Sequence, residues 1–172
     1  MQQLEEISKA AAGLLLEQGL SICTAESCTG GLVASSLIDH SGISAVFQAG
    51  FITYSNESKS SLLGVPEEIL KRYGAVSEET AAAMAKGAAE AVRAETAISV
   101  TGIAGPDGGT PDKPVGLVYI GCYCCGTVSV QKKVFQGSRK EIRTASAVAA
   151  LRLLQDCIAE YSSREALGTG IN

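Results

Sequence analysis

The stretch LSICTAESCTGGLVASSL, residues 20–37, decides the fold. Its first part, Leu20 to Thr24, is a short run of β-forming residues, which is typical of a buried strand. The segment AESCTGG that follows at 25–31 has the small residues of a tight turn. Apolar residues then recur at helical spacing up to Leu37. The stretch therefore predicts a strand, a turn and a helix, which is the building unit of an α/β domain.

The flanking sequence continues this alternation. Helices are predicted over 3–17, 55–64, 78–94 and from 138 to about 161, with a further short helix that opens at Pro66. Strands are predicted over 45–54, 96–100, 117–125 and 128–135. Ser77 is a candidate N-cap, and Ser138 with Glu141 forms a capping-box pattern. The prediction is an α/β fold, a three-layer α/β/α sandwich with a mixed, mostly parallel sheet. We expect one domain over 1–162 and a flexible tail at 163–172.

Composition excludes several classes of function. The 172 residues are 46% hydrophobic and carry a net charge of -4, which indicates a globular domain and disfavours a nucleic-acid partner. No apolar run is long enough for a membrane span, and the polar start MQQLEEISKA is unlike a secretory signal. The six cysteines lack zinc-site spacing, so we expect free thiols, no metal, no cofactor and a cytoplasmic location. Ala-rich faces and small size favour a homo-oligomer.

The chain has one histidine, His40, in SLIDHSG. A Ser-His-Asp triad would need this residue. Its position where a helix ends favours a structural role, because the helix dipole stabilises a cation there. If the protein is a hydrolase, we expect its base to be another residue type.

Ser27 lies at the predicted junction of strand and helix, where nucleophiles are often held. The backbone amides of the next residues, Cys28, Thr29 and Gly30, point out of the helix start and can bind an oxyanion or a phosphate. The alternative is that Ser27 or Thr29 only caps the helix. Cys28 is a rival nucleophile.

The segment TYSNESK at 53–59 places Tyr54 at a strand end and Lys59 five residues later. A lysine serves as a general base only if burial lowers its pKa toward neutrality. The spacing alone favours a solvated surface lysine. Lys59 becomes a candidate base because the sequence offers no usable histidine.

Two other segments have the composition of a phosphate site. The loop TGIAGPDGG at 101–109 is rich in glycine, although it matches neither common nucleotide-loop pattern. Arg139 and Arg143 fall in the first turns of a helix, where the dipole disfavours cations unless an anion is bound. A structural turn and a solvated face are the alternatives.

Five blocks in order resemble the C-terminal domain of the CinA (competence/damage-inducible) family, which includes stand-alone nicotinamide mononucleotide deamidases. The blocks are AESCTGG, GFITYSNESK, GAVSEET, GIAGPDGG with KPVG, and the helix of Arg143. The resemblance covers about residues 5–160. It implies hydrolysis of the carboxamide of nicotinamide mononucleotide to nicotinate mononucleotide and ammonia, a step of NAD recycling in pyridine nucleotide metabolism.

The resemblance also implies roles for individual residues. Ser27 would be the nucleophile, Lys59 the base, and Tyr54 an aid to proton transfer or positioning, without a metal. Position in the sequence, rather than the resemblance, suggests the residues that contact substrate: Cys28, Thr29, Gly30, Asn56, Thr101, Gly102, Gly105, Arg139 and Arg143. Many CinA proteins carry a further N-terminal nucleotide-hydrolase domain that we do not find in this sequence, so no pyrophosphatase activity is expected.

Two other functions remain open from the sequence. One is a non-catalytic nucleotide- or partner-binding module of the same fold, which would bind nucleotide without releasing ammonia. The other is an amidase or esterase on another substrate, which would turn over amides that lack a phosphate and be indifferent to Arg143.

Overall fold

Five strands form one sheet in residues 2–168, the part of the chain that the computed structural model describes. They are β1 (Ile22–Glu26), β2 (Phe47–Ile52), β3 (Thr96–Gly102), β4 (Leu117–Cys124) and β5 (Thr127–Val134). Their order across the sheet is β2-β1-β3-β4-β5. β1 pairs in parallel with β2 and β3, and β4 is antiparallel to β3 and β5. Only β4 runs against the other strands, so the predicted mixed, mostly parallel sheet is confirmed.

Helices cover both faces of this sheet. They are α1 (Gln2–Gln18), α2 (Leu32–Ile38), α3 (Asn56–Leu63), α4 (Glu67–Tyr73), α5 (Glu78–Val92) and α6 (Arg139–Gly168), with a 3-10 turn at Ile43–Ala45. α1, α2 and α6 share one apolar core with the sheet, and α5 packs on the other face beside α3 and α4. Side chains alternate along β1, with Ile22 in the first core and Cys23 in the second. The predicted three-layer sandwich is confirmed.

Local sequence signals explain several helix starts. The Ser77 hydroxyl accepts the backbone N–H of Thr80 at 3.2 Å, so Ser77 caps α5. At α6 the Glu141 carboxylate accepts the Ser138 backbone N–H at 2.7 Å, and the Ser138 hydroxyl accepts the Glu141 N–H at 3.4 Å, which is the predicted capping box. The small residues of α5 allow close packing, because a Cβ at Gly87 would lie 1.8 Å from the Leu63 carbonyl oxygen of α3.

Several boundaries differ from the sequence-based prediction: β2, predicted over 45–54, is Phe47–Ile52, and β3, predicted over 96–100, extends to Gly102. β1 begins two residues later than predicted and extends to Glu26, because its last residues pair with both neighbouring strands. The last helix, predicted to end near Tyr161, continues to Gly168 through the helix-forming segment EAL. The segment expected to be a flexible tail, 163–172, is therefore helical to 168, and 169–172 lie outside the described residues. No helix within residues 2–168 is both long and apolar enough to cross a membrane.

β1, β2 and β3, which pair in parallel, end at the same edge of the sheet. The connection after β1 leads into α2 on one face, whereas the connection after β2 leads to α3–α5 on the other. In open α/β sheets, the crevice beyond the carboxyl ends of strands at such a reversal is where ligands bind. Ser27, Thr53 and the loop after Gly102 all lie at this edge.

Candidate active site

Ser27 is the first residue after β1 and is half-buried. Its backbone N–H donates to the Val100 carbonyl of β3 at 2.9 Å, and its carbonyl accepts the N–H of Gly30 at 3.1 Å. The first bond joins Ser27 to β3, and the second closes the turn at 27–30. The serine hydroxyl is thus held by rigid elements, as a nucleophile requires.

Lys59 reaches Ser27 from α3. Its Nζ lies 3.2 Å from the Ser27 Oγ and donates to the Thr53 carbonyl at 2.7 Å. The lysine is only 1% exposed, although the sequence alone favoured a solvated position. Ser55 is the N-cap of the helix that carries it, and the side chains of Ser55 and Ser58 form a reciprocal cap. The structure therefore brings together the predicted nucleophile and the predicted base.

Burial changes the acid–base chemistry of Lys59. Desolvation lowers the pKa of its amine below the ordinary value of 10.5, with a smaller opposing effect from Cys28. When the amine is neutral, one N–H donates to the Thr53 carbonyl and the lone pair is free to accept the Ser27 hydroxyl proton. The pair then has the geometry of an activated serine.

The Tyr54 hydroxyl contacts an arginine. It accepts a hydrogen bond from Arg139 Nη2 at 2.9 Å, while Arg139 Nη1 donates to the Gly105 carbonyl at 2.9 Å. Tyr54 is 63% exposed, so its ring stands at the surface of the site. Arg139 thus joins the end of β2 to the glycine-rich loop after β3.

Arg143 supports the turn that follows Ser27. Its Nε donates to the Cys28 carbonyl at 3.0 Å and its Nη2 to the Thr29 carbonyl at 2.7 Å. Because a trans peptide is planar, the Thr29 N–H points away from the Cys28 carbonyl and hence away from Arg143. Within residues 2–168 the N–H groups of Cys28 and Thr29 have no oxygen acceptor, whereas that of Gly30 donates to Ser27. Two of the three amides predicted to bind an oxyanion therefore donate to no oxygen atom of the described residues, although the Cys28 N–H also interacts with its own thiol.

The remaining predicted substrate contacts have other partners. The Thr101 hydroxyl donates to the Ala75 carbonyl at 2.7 Å, and Thr101 is buried. A Cβ at Gly102 would lie 2.6 Å from Val118 Cγ2, so this glycine is required for packing. Gly105 has a φ of 71°, and its carbonyl binds Arg139. Asn56 lines a cavity of about 580 Å³ between α3 and α4 whose walls contain neither Ser27 nor Lys59.

Two rival groups are disfavoured by their surroundings. Burial is the main cause that raises the pKa of the Cys28 thiol to about 11, which keeps it protonated near neutral pH. His40 Nε2 lies 2.8 Å from the Ser8 hydroxyl, which in turn donates to the Glu5 carbonyl at 3.0 Å. The one histidine thus joins the end of α2 to α1, which fits the structural role expected for it.

Glu26 is a residue of the site that the sequence analysis missed. It is fully buried at the end of β1, and its carboxylate accepts the backbone N–H groups of Gly31, Val33 and Ala34 at 3.0, 3.1 and 2.8 Å. The available signal was an acidic residue that ends a strand with no other charged residue, just before a turn. Such a residue must find hydrogen-bond donors when it is buried.

Comparison with known proteins identifies a family. The model of the CinA C-terminal domain matches residues 4–158. A putative competence-damage inducible protein of Clostridium beijerinckii is 52% identical over 149 residues, which are 87% of this chain and 36% of that protein. A CinA-like protein of Kosmotoga olearia is 52% identical over 147 residues, 86% of this chain and 36% of that protein. The chain thus spans about a third of the length of these relatives.

Solved structures give the same result. The crystal structure of the competence/damage inducible protein CihA from Agrobacterium tumefaciens has a TM-score of 0.87 and 43% identity, and the match covers 90% of this chain and 95% of that chain. A CinA superfamily protein of Klebsiella pneumoniae has a TM-score of 0.88 and 31% identity, with 91% and 98% of the two chains covered.

Proposed function

The chain belongs to the CinA C-terminal domain family, and from this premise we propose that it is an amidohydrolase that converts nicotinamide mononucleotide to nicotinate mononucleotide and ammonia. The observation that carries the proposal is the buried Lys59 amine 3.2 Å from the Ser27 hydroxyl. A lysine is buried at such a cost only where its neutral form is useful or its charge is paired, and the described residues provide no carboxylate partner for it. The six free cysteines fit a cytoplasmic location.

The proposed reaction begins at Ser27. The neutral Lys59 amine takes the hydroxyl proton while the Ser27 Oγ forms a bond to the carboxamide carbon. The resulting oxyanion accepts hydrogen bonds from the N–H groups of Cys28 and Thr29. Arg143 stabilises the turn that contains these groups by donating to its carbonyls. When the tetrahedral intermediate collapses, the C–N bond breaks and the Lys59 ammonium donates its proton to the leaving amine, which departs as ammonia.

Deacylation uses the same groups in reverse order. Lys59, again neutral, takes a proton from a water molecule, and the hydroxide attacks the ester carbon. The C–O bond to Ser27 breaks, and the serine oxygen recovers its proton from Lys59. The product is the nucleotide carboxylate. Lys59 is thus the base in both steps, whereas the nucleophile is Ser27 in the first step and water in the second.

The contacts of the two arginines bear on whether the substrate carries a phosphate. Both arginines that the sequence suggested for it donate to protein acceptors, Arg139 to Tyr54 and Gly105 and Arg143 to the Ser27 turn. This observation favours a second candidate, an amidase that acts on a carboxamide without a phosphate. A direct comparison of nicotinamide mononucleotide with nicotinamide riboside separates the two candidates.

We expect purified protein to release ammonia from nicotinamide mononucleotide at the same rate with and without a chelator such as EDTA. The reason is that the proposed Ser27–Lys59 chemistry supplies both nucleophile and base from side chains. Ammonia and nicotinate mononucleotide should appear in equal amounts. Turnover of the riboside but not of the nucleotide would establish the second candidate, and loss of activity with EDTA that Zn²⁺ or Mg²⁺ restores would contradict the mechanism.

Substitution of Arg143 by methionine is expected to lower kcat roughly tenfold to a hundredfold. This loss is smaller than the one that follows removal of an oxyanion donor itself, because the Cys28 and Thr29 amides remain. Because Arg143 contacts the turn, nucleotide and riboside should be affected alike. Arg152→Met, an exposed arginine of the same helix, is the matched control and should behave as wild type. A KM increase confined to the phosphate-bearing substrate would instead assign Arg143 to the phosphate.

A further inference from the structure

Glu26 occupies an unusual place for a carboxylate. It is the last residue of β1, it is fully buried, and its backbone carbonyl accepts the N–H of Thr53 at 2.8 Å. The side chain turns back toward the start of α2 and accepts three backbone N–H groups there. Hydrogen bonds to an ionised acceptor are about twice as strong as neutral ones. Glu26 thus fixes the first turn of α2 to the strand that precedes it.

The start of α2 has no other cap. Its N-cap residue is Gly31, which has no side chain and a φ of 93°. A helix start leaves four N–H groups without partners inside the helix. Glu26 satisfies three of the groups at this end from the opposite side of the turn. Residues 26 and 31 are therefore joined through a side chain, and the intervening turn at 27–30 is closed into a loop.

This arrangement decides which amides remain for a ligand. Gly31, Val33 and Ala34 all donate their backbone N–H groups to Glu26, so none of these three groups is left for a ligand. Since the Glu26 carboxylate already occupies those donors, the N–H groups of Cys28 and Thr29 are the ones left in the turn. By joining the end of β1 to the start of α2, the carboxylate also restrains the turn at 27–30 that carries the Cys28 and Thr29 amides.

We propose that Glu26 is a positioning residue for acyl transfer at Ser27, which holds the Cys28 and Thr29 amides where the oxyanion forms. The inference rests on the proposed Ser27–Lys59 chemistry. It does not rest on the identity of the amide substrate. Glu26 touches no substrate atom and acts through the turn, so its loss should change the rate of the chemical step and leave substrate binding largely intact.

The test compares Glu26→Gln and Glu26→Asp with wild type and with Glu17→Gln, an exposed glutamate of α1 that serves as the matched control. Two rates are measured on protein shown to be folded by circular dichroism: kcat and KM for nicotinamide mononucleotide, and inactivation by a fluorophosphonate. In the second reaction the Ser27 oxygen forms a P–O bond, fluoride leaves and Lys59 takes the serine proton. The phosphonate oxygen then occupies the position of the oxyanion.

For Glu26→Gln we expect a loss of about a hundredfold in kcat, a KM within about twofold of wild type, and a parallel loss in the phosphonylation rate. Glu26→Asp keeps the charge but is one methylene shorter, so its rates should fall between those of wild type and Glu26→Gln. A folded Glu26→Gln protein with wild-type rates and only a lower melting temperature would overturn the proposal, because the residue would then be merely structural. If Glu26→Gln does not fold, wild-type rates in Glu26→Asp overturn it.

The two readouts separate this inference from the proposed function. Wild-type protein that does not hydrolyse nicotinamide mononucleotide but is phosphonylated at Ser27 would disprove the substrate alone. The phosphonylation rates of the variants would then still decide the role of Glu26. Wild-type protein that is not phosphonylated at Ser27 would disprove the serine chemistry and the inference together.

Discussion

Replacement of Ser27 by alanine is expected to lower kcat for nicotinamide mononucleotide about ten-thousandfold or more, as loss of a serine nucleophile does in serine hydrolases. The physical reason is that the acyl group has no oxygen to bond to, while the amides and Lys59 remain. Water attacking directly would have to approach the carboxamide without the rigid support that the sheet and Lys59 give to the Ser27 hydroxyl. The measurement is ammonia release under saturating substrate, with folding checked by circular dichroism.

Two further variants make the Ser27 result interpretable. Ser35→Ala, an exposed serine of α2, is the matched control and should keep wild-type kcat. Cys28→Ala keeps the backbone N–H and removes only a thiol whose pKa burial raises to about 11, so we expect a loss of less than about tenfold. Activity that survives in Ser27→Ala and disappears in Cys28→Ala would transfer the nucleophile to Cys28 and contradict the proposal.

Local patterns were sufficient to predict the layers of the fold. The strand, turn and helix of 20–37, the caps at Ser77 and Ser138, and the alternation of elements all depend on residues close in sequence. The parallel pairing of β1 with β2 and β3 then places the ends of these three strands together. Fold class therefore depends on information that short stretches of sequence contain.

The site depends on contacts that no short stretch contains. The segment TYSNESK favoured a surface lysine, but α3 is placed so that Lys59 extends to the end of β1, 32 residues away in sequence. Arg143 lies 115 residues from Cys28 in the sequence. Its position in the first turns of α6 suggested an anionic ligand, but in the structure it donates to backbone carbonyls. The basic helix start suggested either an anionic ligand or a solvated face, whereas both arginines donate to uncharged oxygen atoms. Only the tertiary structure identifies those partners as the protein's own.

Lys59→Met is the second change for which we expect a large effect. Methionine fills a similar volume without a base, so Ser27 keeps its proton and kcat should fall by about a thousandfold or more, near the upper range of general-base contributions. Lys86→Met on α5 is the matched control and should keep wild-type activity. The Lys86 side chain is exposed, and its Nζ lies 3.8 Å from the Glu90 Oε1. In wild type, kcat should rise with pH as the buried Lys59 amine becomes neutral and then level off, because burial lowers its pKa.

The same residue makes stability depend on pH with a definite sign. Because the pKa of Lys59 is lowered in the folded state, the unfolded chain binds more protons between that lowered pKa and the ordinary value of 10.5. The free energy of unfolding of wild type should therefore rise relative to that of Lys59→Met by up to about 1.4 kcal/mol per pH unit within this window, and level off above it. Urea unfolding of both proteins, with reducing agent, at several pH values up to 11 measures the difference. A difference that stays constant over the whole range would mean that Lys59 ionises alike in both states, and the buried amine would then be no better a base than a lysine in solvent.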